Sequence, residues 1–273
     1  MNSFPVSPLF VPANKLDWIQ KAESSEADGL IIDLEDSVPE DEKNVTREAL
    51  ADYLSSTEIS KPFFIRVNSL TTTYGEKDIN TFENTVKNFM GLIIPKIEDP
   101  AELASLSKDI KAILLIETPL ALENLPSLIQ DKKVIGLALG GADLSAELGS
   151  DMSWDSLLMA RSMIVMQASK LGLLTIDSPF MDINDENLLA EESRKAKSIG
   201  FNSKFAIHPK QAKVIKERFL PTKEELEEAK KIIEAYSNSK GGAISVDGKM
   251  VDEPIVRLMK KRLRLSGIDL ENE

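Results

Sequence analysis

Residues 112–119 read Ala-Ile-Leu-Leu-Ile-Glu-Thr-Pro, five apolar residues that stop on a carboxylate and a proline. A second run, Val134–Leu139, opens in the same way into Gly140-Gly141-Ala142-Asp143. Both are short and unbroken by polar residues, the pattern of a strand buried on both faces of a parallel sheet. The same punctuation recurs along the chain. Val6–Val11 stops at Pro12-Ala13-Asn14, Gly29–Ile32 at Asp33-Leu34-Glu35-Asp36, and Phe63–Ile65 at Arg66-Val67-Asn68. Gly91–Ile94 stops at Pro95-Lys96-Ile97-Glu98, Leu173–Ile176 at Asp177-Ser178-Pro179, and Lys204–Ile207 at His208-Pro209-Lys210.

Helical signals separate these runs. Asp99-Pro100-Ala101-Glu102 has an N-cap, a proline at the first helical position and a capping-box glutamate. Ser153 is placed to cap Trp154–Leu171, which Gly172 closes, and Glu186–Ile199 ends at Gly200. Asp41–Leu54 offers Val45, Ala49 and Leu50 as its apolar residues. Eight strands alternating with helices over about 220 residues predict an α/β fold, a (β/α)8 TIM barrel, which typically runs to ~250 residues. That fold builds its active site where strands end and the following loops begin, which is where the polar residues of this chain cluster. The alternative, an open doubly wound sheet, lacks its usual marks: no Gly-x-Gly-x-x-Gly follows an early strand, and there is no Walker-type Gly-Lys-Ser/Thr.

In such a barrel Glu117 and Asp143 end strands five and six. They are candidates to share a divalent cation, or else to cap helices and bind arginines of the barrel rim. Composition narrows the choice of metal. The 273-residue chain has no cysteine and one histidine, His208, which disfavours disulfides, thiolate chemistry, His-rich zinc sites and a Ser-His-Asp triad. A hard cation held by oxygen ligands fits better. Lack of cysteine also accords with a cytoplasmic location. The formal net charge of −12 argues against nucleic-acid binding. No run approaches the ~20 apolar residues of a membrane span, and Met1–Pro5 lacks the basic start of a secretory signal. An anionic substrate remains compatible with the acidic total, because Arg66 and Lys96 fall at the predicted barrel mouth.

The predicted division is a barrel over 1–220 and an extension over 221–273. Thr222 and Glu225 form a capping box, and Leu226, Ala229, Ile232, Ile233 and Tyr236 make one apolar stripe. The polar stretch 237–242 reads as a hinge. Asp247-Gly248 between apolar pairs predicts a small hairpin, and Ile255–Leu265 a basic amphipathic helix. This tail either covers the barrel or a neighbouring subunit, or acts as a lid bringing Asp247 or Asp252 to the site.

Taken in order, these segments resemble the HpcH/HpaI aldolase and citrate lyase superfamily, in its citrate lyase β-subunit-like branch. The resemblance spans Leu9-Phe10-Val11-Pro12, Asp33-Leu34-Glu35-Asp36-Ser37-Val38, Arg66-Val67-Asn68, Pro95-Lys96, Ile116-Glu117-Thr118 and Gly140…Asp143-Leu144. It continues through Arg161, Asp177, Pro179, Asp182 and Ile207-His208-Pro209-x-Gln211. Asp247–Asp252 is similar to the C-terminal segment of members that use CoA thioesters. Two positions depart: Val6 stands where the family usually has arginine, and Ala121 where a glycine usually follows Ile-Glu-Thr, which would crowd the loop beside the metal.

The resemblance implies a Mg2+ ion held by Glu117 and Asp143. It implies that Arg66 binds a substrate carboxylate or carbonyl and stabilises an enolate, where the residues alone would also allow it simply to pair with Asp33 or Glu35 across the rim. It implies further that Asp252 is the acid/base, carried by a mobile tail from a neighbouring subunit of a homotrimer or hexamer. Glu35 and Asp36 would bond metal waters and orient Arg66, or else form a charged turn. Lys96 would contact substrate or a CoA phosphate, or else be solvated. His208 reads as a structural residue holding a loop. The implied activity is retro-Claisen cleavage of citryl-CoA, citramalyl-CoA or malyl-CoA to an acyl-CoA and a 2-oxo acid. A CoA-independent pyruvate aldolase acting on 4-hydroxy-2-oxo acids and a non-catalytic metabolite-binding barrel are the alternatives.

Overall fold

The computed structural model describes residues 4–83, 88–239 and 242–265. Eight parallel strands pair in sequence order: β1 (Pro8–Pro12), β2 (Gly29–Asp33), β3 (Phe63–Arg66), β4 (Phe89–Ile94), β5 (Ala112–Ile116), β6 (Val134–Leu139), β7 (Leu174–Asp177) and β8 (Ser203–Lys204). β8 returns to β1 through a parallel bridge at Leu9 and Ala206, with Phe10 N–H donating to the Ala206 carbonyl and Ala206 N–H to that of Pro8, both at 2.9 Å. The ring is thereby nearly closed, and the predicted (β/α)8 barrel is the fold. Every residue of β2 and β5 is buried, as their unbroken apolar runs require.

Helices α1 (Leu16–Glu23), α2 (Lys43–Ser56), α3 (Thr73–Phe82), α4 (Pro119–Leu128), α5 (Gly141–Leu148), α6 (Trp154–Leu171), α7 (Glu186–Ile199) and α8 (Pro209–Phe219) follow the strands. The predicted caps hold: Ser153 Oγ accepts the Ser156 N–H, and Gly172 and Gly200 take the left-handed conformation that ends α6 and α7. The capping box at Asp99 forms, but it opens a short 3-10 segment, Pro100–Ser105.

Helix α2 corrects one expectation. Val45 is 62% exposed and Ala49 also faces solvent, whereas Thr46, Arg47, Leu50 and Leu54 are buried. Arg47 turns inward because Asp78 of α3 accepts its Nε–H there. The inner face of α2 is thus Thr46, Arg47, Leu50 and Leu54. Fully burying a leucine such as Leu50 contributes about 1.5–3 kcal/mol.

The chain divides into two compact units, the barrel over Pro5–Lys216 and a second unit that groups Phe4 with the residues from Glu217 onward. In the second, α9 (Lys223–Ser237) starts at the Thr222/Glu225 capping box. Strands β9 (Ile244–Val246) and β10 (Lys249–Val251) pair antiparallel about Asp247 and Gly248, both at positive φ as a two-residue turn requires. α10 (Glu253–Leu265) follows, and Ala229, Ile232, Val251, Val256, Met259 and Leu263 form this unit's own core. Part of the predicted hinge, residues 240–241, lies outside the described residues. Among the described residues no helix is long and apolar enough to cross a membrane.

Candidate active site

The ends of β2 through β6 converge on one polar cluster. β2 and β3 run in register so that Asp33 lies opposite Arg66. The Asp33 carboxylate accepts Nε–H and Nη2–H of Arg66, both at 2.7 Å. It also accepts the N–H of Glu35 at 2.9 Å and of Ser37 at 3.3 Å, which folds the chain after β2 into a tight turn. Burial works against the charged form of Asp33, but the bonds and charge of Arg66 win and hold its carboxyl below the usual range. Opposed by the same burial, the arginine is driven further up by Asp33, Glu35 and Asp36, so it is cationic at any working pH. Its guanidinium lies 5.0 Å over the Phe10 ring, and Phe10 meets Phe205 edge-on at 5.0 Å.

The turn settles how neighbouring Glu35 and Asp36 serve one centre. Glu35 is buried, with Oε1 2.6 Å from Lys96 Nζ and Oε2 3.0 Å from Arg66 Nη1, the latter an ion pair without hydrogen-bond geometry. Asp36 is more exposed and sits 3.6 Å from Arg66 Nη1 and 3.7 Å from Lys96 Nζ. Burial raises the Glu35 carboxyl above its ordinary range despite both cations. Lys96 itself has φ 52°, in the left-handed region that a non-glycine residue seldom adopts, and its backbone N–H donates to Glu117 Oε1 at 2.7 Å.

Glu117 follows β5 directly and is 1% exposed. Asp143, in the first turn of α5, follows β6. Burial is the main reason the Glu117 carboxyl is pushed up to about 8, with the charges of Glu35 and Asp143 adding to it. Gly140 makes room for this carboxylate: a Cβ there would overlap Glu117 Cβ and Oε2. Ala121 sits in the first turn of α4, where its N–H is capped by Thr118 Oγ1 at 3.1 Å.

A cavity of about 670 Å³ opens over this cluster. Asp33, Asp36, Arg66, Glu117 and Asp143 line its polar side, and residues including Leu9, Phe10, Leu115, Leu139 and Phe205 its apolar side. Glu35 and Lys96 are not among its lining residues. His208 is, and its Nδ1 accepts the Lys210 N–H at 3.3 Å, a bond local to the start of α8. Gln211 ties the β8 exit to the β7 exit by accepting the Ile207 N–H at 2.9 Å and donating to the Phe180 carbonyl at 2.7 Å. Asp252 belongs to the second unit, where its Oδ1 accepts the Ile255 N–H at 3.4 Å at the start of α10. Asp247 of the hairpin turn pairs with Lys231 at 2.7 Å.

The donor set fits a hard divalent cation. Burial first, and the acidic neighbours second, disfavour the charged form of the Glu117 carboxyl, and a bound cation would favour it. Among the described residues no three Asp, Glu or His side chains form a ligand cage. Magnesium needs only one or two carboxylates, with water and substrate oxygens completing its octahedron.

Sequence reasoning missed several supporting residues. Asp33 was legible only as one partner of Arg66, not as the residue that also builds the turn. Lys43 donates to the carbonyls of Leu34 (3.0 Å) and Glu35 (2.8 Å) and to Asn68 Oδ1 (2.6 Å), bracing that turn from behind. Nothing local to Lys43 signals this.

The model of the HpcH/HpaI aldolase/citrate lyase family matches residues 7–209. The mitochondrial citramalyl-CoA lyase of Rattus norvegicus is 30% identical over 277 aligned residues, covering 91% of this chain and 82% of its own length. A (3S)-malyl-CoA thioesterase of Cereibacter sphaeroides is 31% identical over 255, covering 90% and 89%. The crystal structure of CitE from Mycobacterium tuberculosis, in complex with magnesium, acetoacetate and coenzyme A, superimposes with a TM-score of 0.85 at 29% identity, covering 98% of this chain and 100% of that one. With its barrel, its strand-end carboxylates and these relatives, the chain belongs to the HpcH/HpaI aldolase/citrate lyase family.

Proposed function

We propose that this protein is a Mg2+-dependent carbon–carbon lyase that cleaves a 3-hydroxyacyl-CoA thioester, of the citramalyl-, malyl- or citryl-CoA kind, to an acyl-CoA and a 2-oxo acid. The observation that carries this reading is the juxtaposition, in one cavity, of the buried Glu117 carboxylate and Asp143 with an arginine clamped by Asp33. Glu117 and Asp143 would hold the Mg2+ ion, which when bound supplies Lewis acidity that lowers the pKa of a substrate hydroxyl.

The chain's own residues supply the rest. As the hydroxyl proton passes to water in the open cavity, the carbinol C–O becomes the carbonyl of the 2-oxo acid, the bond between the carbinol carbon and the thioester α-carbon breaks, and its electron pair passes to the thioester as an enolate. Arg66 meets that oxyanion: two of its N–H groups are occupied by Asp33, and a planar guanidinium has five. Because Asp33 fixes the guanidinium in advance, little reorganisation is needed as the charge develops. Glu35 and Asp36 orient the arginine. The apolar wall keeps water from the enolate, and Asp252 protonates its carbon.

Residues 1–220 are the catalytic barrel in this reading and 221–273 a lid-like extension. The protein works in the cytoplasm as a homotrimer or hexamer in which a neighbour's Asp252 completes the site. The test is to assay the purified protein with Mg2+ against citramalyl-, malyl- and citryl-CoA and against 4-hydroxy-2-oxo acids, with product identification. Cleavage of a thioester to acyl-CoA and 2-oxo acid is expected. Turnover confined to the hydroxy-oxo acids would make it a pyruvate aldolase, and tight binding without turnover a metabolite-binding barrel. Mixing inactive Glu117→Gln and Asp252→Ala chains should restore activity if the aspartate acts across subunits.

A further inference from the structure

We propose that Lys96 is a positioning residue that locks Glu117 to the arginine centre, its amine committed to Glu35 rather than to substrate. The inference rests on the reading of Glu117 as a metal ligand and adds a residue to that site's supporting structure.

Three observations on one residue carry it. The backbone at Lys96 is left-handed, with φ 52°, and in that conformation its N–H donates to Glu117 Oε1 at 2.7 Å. Strained backbone of this kind persists only where its surroundings hold it, and it concentrates at functional sites. The side chain leaves in another direction, with Nζ 2.6 Å from Glu35 Oε1, and Glu35 in turn faces Arg66 at 3.0 Å. Lys96 does not line the cavity, although Arg66, Glu117 and Asp143 do. One residue at the end of β4 thus joins the end of β5 to the turn after β2, by a main-chain bond on one side and an ion pair on the other. Its amine is engaged by Glu35 at 2.6 Å and stands 3.7 Å from Asp36, so its charge serves the turn after β2.

The two halves separate by mutation. Lys96→Met keeps an unbranched side chain and the backbone conformation but removes the amine. Lys96→Val also disfavours the left-handed backbone, because β-branched residues there are true outliers. Mg2+ is titrated into wild type and both variants by calorimetry, and turnover is followed with malyl-CoA and citryl-CoA, which differ by one carboxymethyl group. Lys96→Met should bind Mg2+ within about twofold of wild type, while Lys96→Val binds about 10–100-fold more weakly, the usual loss when a group orienting a metal ligand is removed. Lys96→Met should lower kcat about tenfold or more, by the same factor for both thioesters.

Equal Mg2+ affinity of the Val and Met variants overturns the proposal. So does a Lys96→Met loss that falls on KM and is larger for citryl-CoA, which would mark a direct substrate contact. Should Lys96→Val not fold, Lys96→Gly replaces it: glycine accepts the left-handed backbone and should match Lys96→Met in Mg2+ affinity, and a much weaker affinity overturns the proposal. A wild type that cleaves neither thioester refutes the functional reading, while the Mg2+ contrast between variants still decides the role of Lys96.

Discussion

At the end of β7, Asp177 is fully buried and faces two cations, Lys204 Nζ at 2.7 Å and Arg161 Nε at 2.8 Å. At the end of β5, Glu117 is also buried, but at the cavity wall, and it faces the carboxylates of Glu35 and Asp143. Lys204 is also 2.6 Å from Glu192, and Arg161 stacks 4.4 Å over Trp154. Burial pushes the Asp177 carboxyl upward, yet the charges of Lys204 and Arg161 prevail and it titrates below the usual range. For Glu117 burial is unopposed by comparable charge, and its carboxyl rises to about 8. The same topological position therefore carries a finished ion cluster on one side of the barrel and an unfinished one on the other. A finished cluster holds structure; an unfinished one leaves a carboxylate that a bound cation would neutralise.

Breaking each cluster should give opposite results. Glu117→Gln removes the uncompensated charge, so Mg2+-dependent turnover should fall by at least about 10³-fold, since metal Lewis acidity is worth several kcal/mol. Its urea midpoint at pH 8 should stay at or above that of wild type. Unchanged turnover would remove Glu117 from the metal site. Asp177→Asn strands two buried cations with only Glu192 beside them, and should cost about 3–5 kcal/mol in urea unfolding. Stability loss below about 1 kcal/mol would mean that the cluster is no more consequential than a surface pair.

Much of this architecture was legible because it is local. Unbroken apolar runs ending in polar residues mark β2, β5 and β6, since a strand buried on both faces leaves no room for alternation. Caps at Ser153, Gly172 and Thr222 and the turn at Asp247-Gly248 are decided within three or four residues. Charge pairing is different, because a partner arrives from a distant strand. Asp33 and Arg66 meet only through the β2–β3 register, and Arg47 is drawn inward by Asp78, which lies 31 residues further on. Lys204 was read as the start of an apolar strand, and nothing near it announces that its amine ends on Asp177. The carboxylate pair could be proposed from strand ends alone, whereas its deficit of positive charge required the fold.

Space around the two carboxylates extends the contrast. Asp177 is fixed by its partners, but Glu117 depends on the absence of a side chain at Gly140, where a Cβ would overlap Glu117 Cβ and Oε2. Gly140→Ala should therefore weaken Mg2+ binding about 10–100-fold in calorimetry by displacing its ligand. The overpacking should cost about 1–3 kcal/mol. Retained affinity would show that Glu117 can move without consequence for the metal.

The effect most specific to the unfinished cluster is a pH slope. With metal removed by chelation, the folded Glu117 carboxyl titrates near 8, against 4.5 for an unperturbed glutamate. Between those values the folded state binds more protons than the unfolded state, so stability falls as pH rises. The slope from this one group is at most about 1.4 kcal/mol per pH unit, and it vanishes below the lower value and above the higher. Other titrating groups contribute to the same window, so the informative quantity is the difference between wild type and Glu117→Gln in urea unfolding from pH 5 to pH 9. That difference should grow in favour of the variant up to about pH 8 and then level off. Asp177 cannot produce it, because a lowered carboxyl loses its stabilising contribution only on acidification below the ordinary carboxylate range. Parallel curves for wild type and variant would mean that the charge on Glu117 is already compensated in the metal-free protein, and the contrast between the two clusters would collapse.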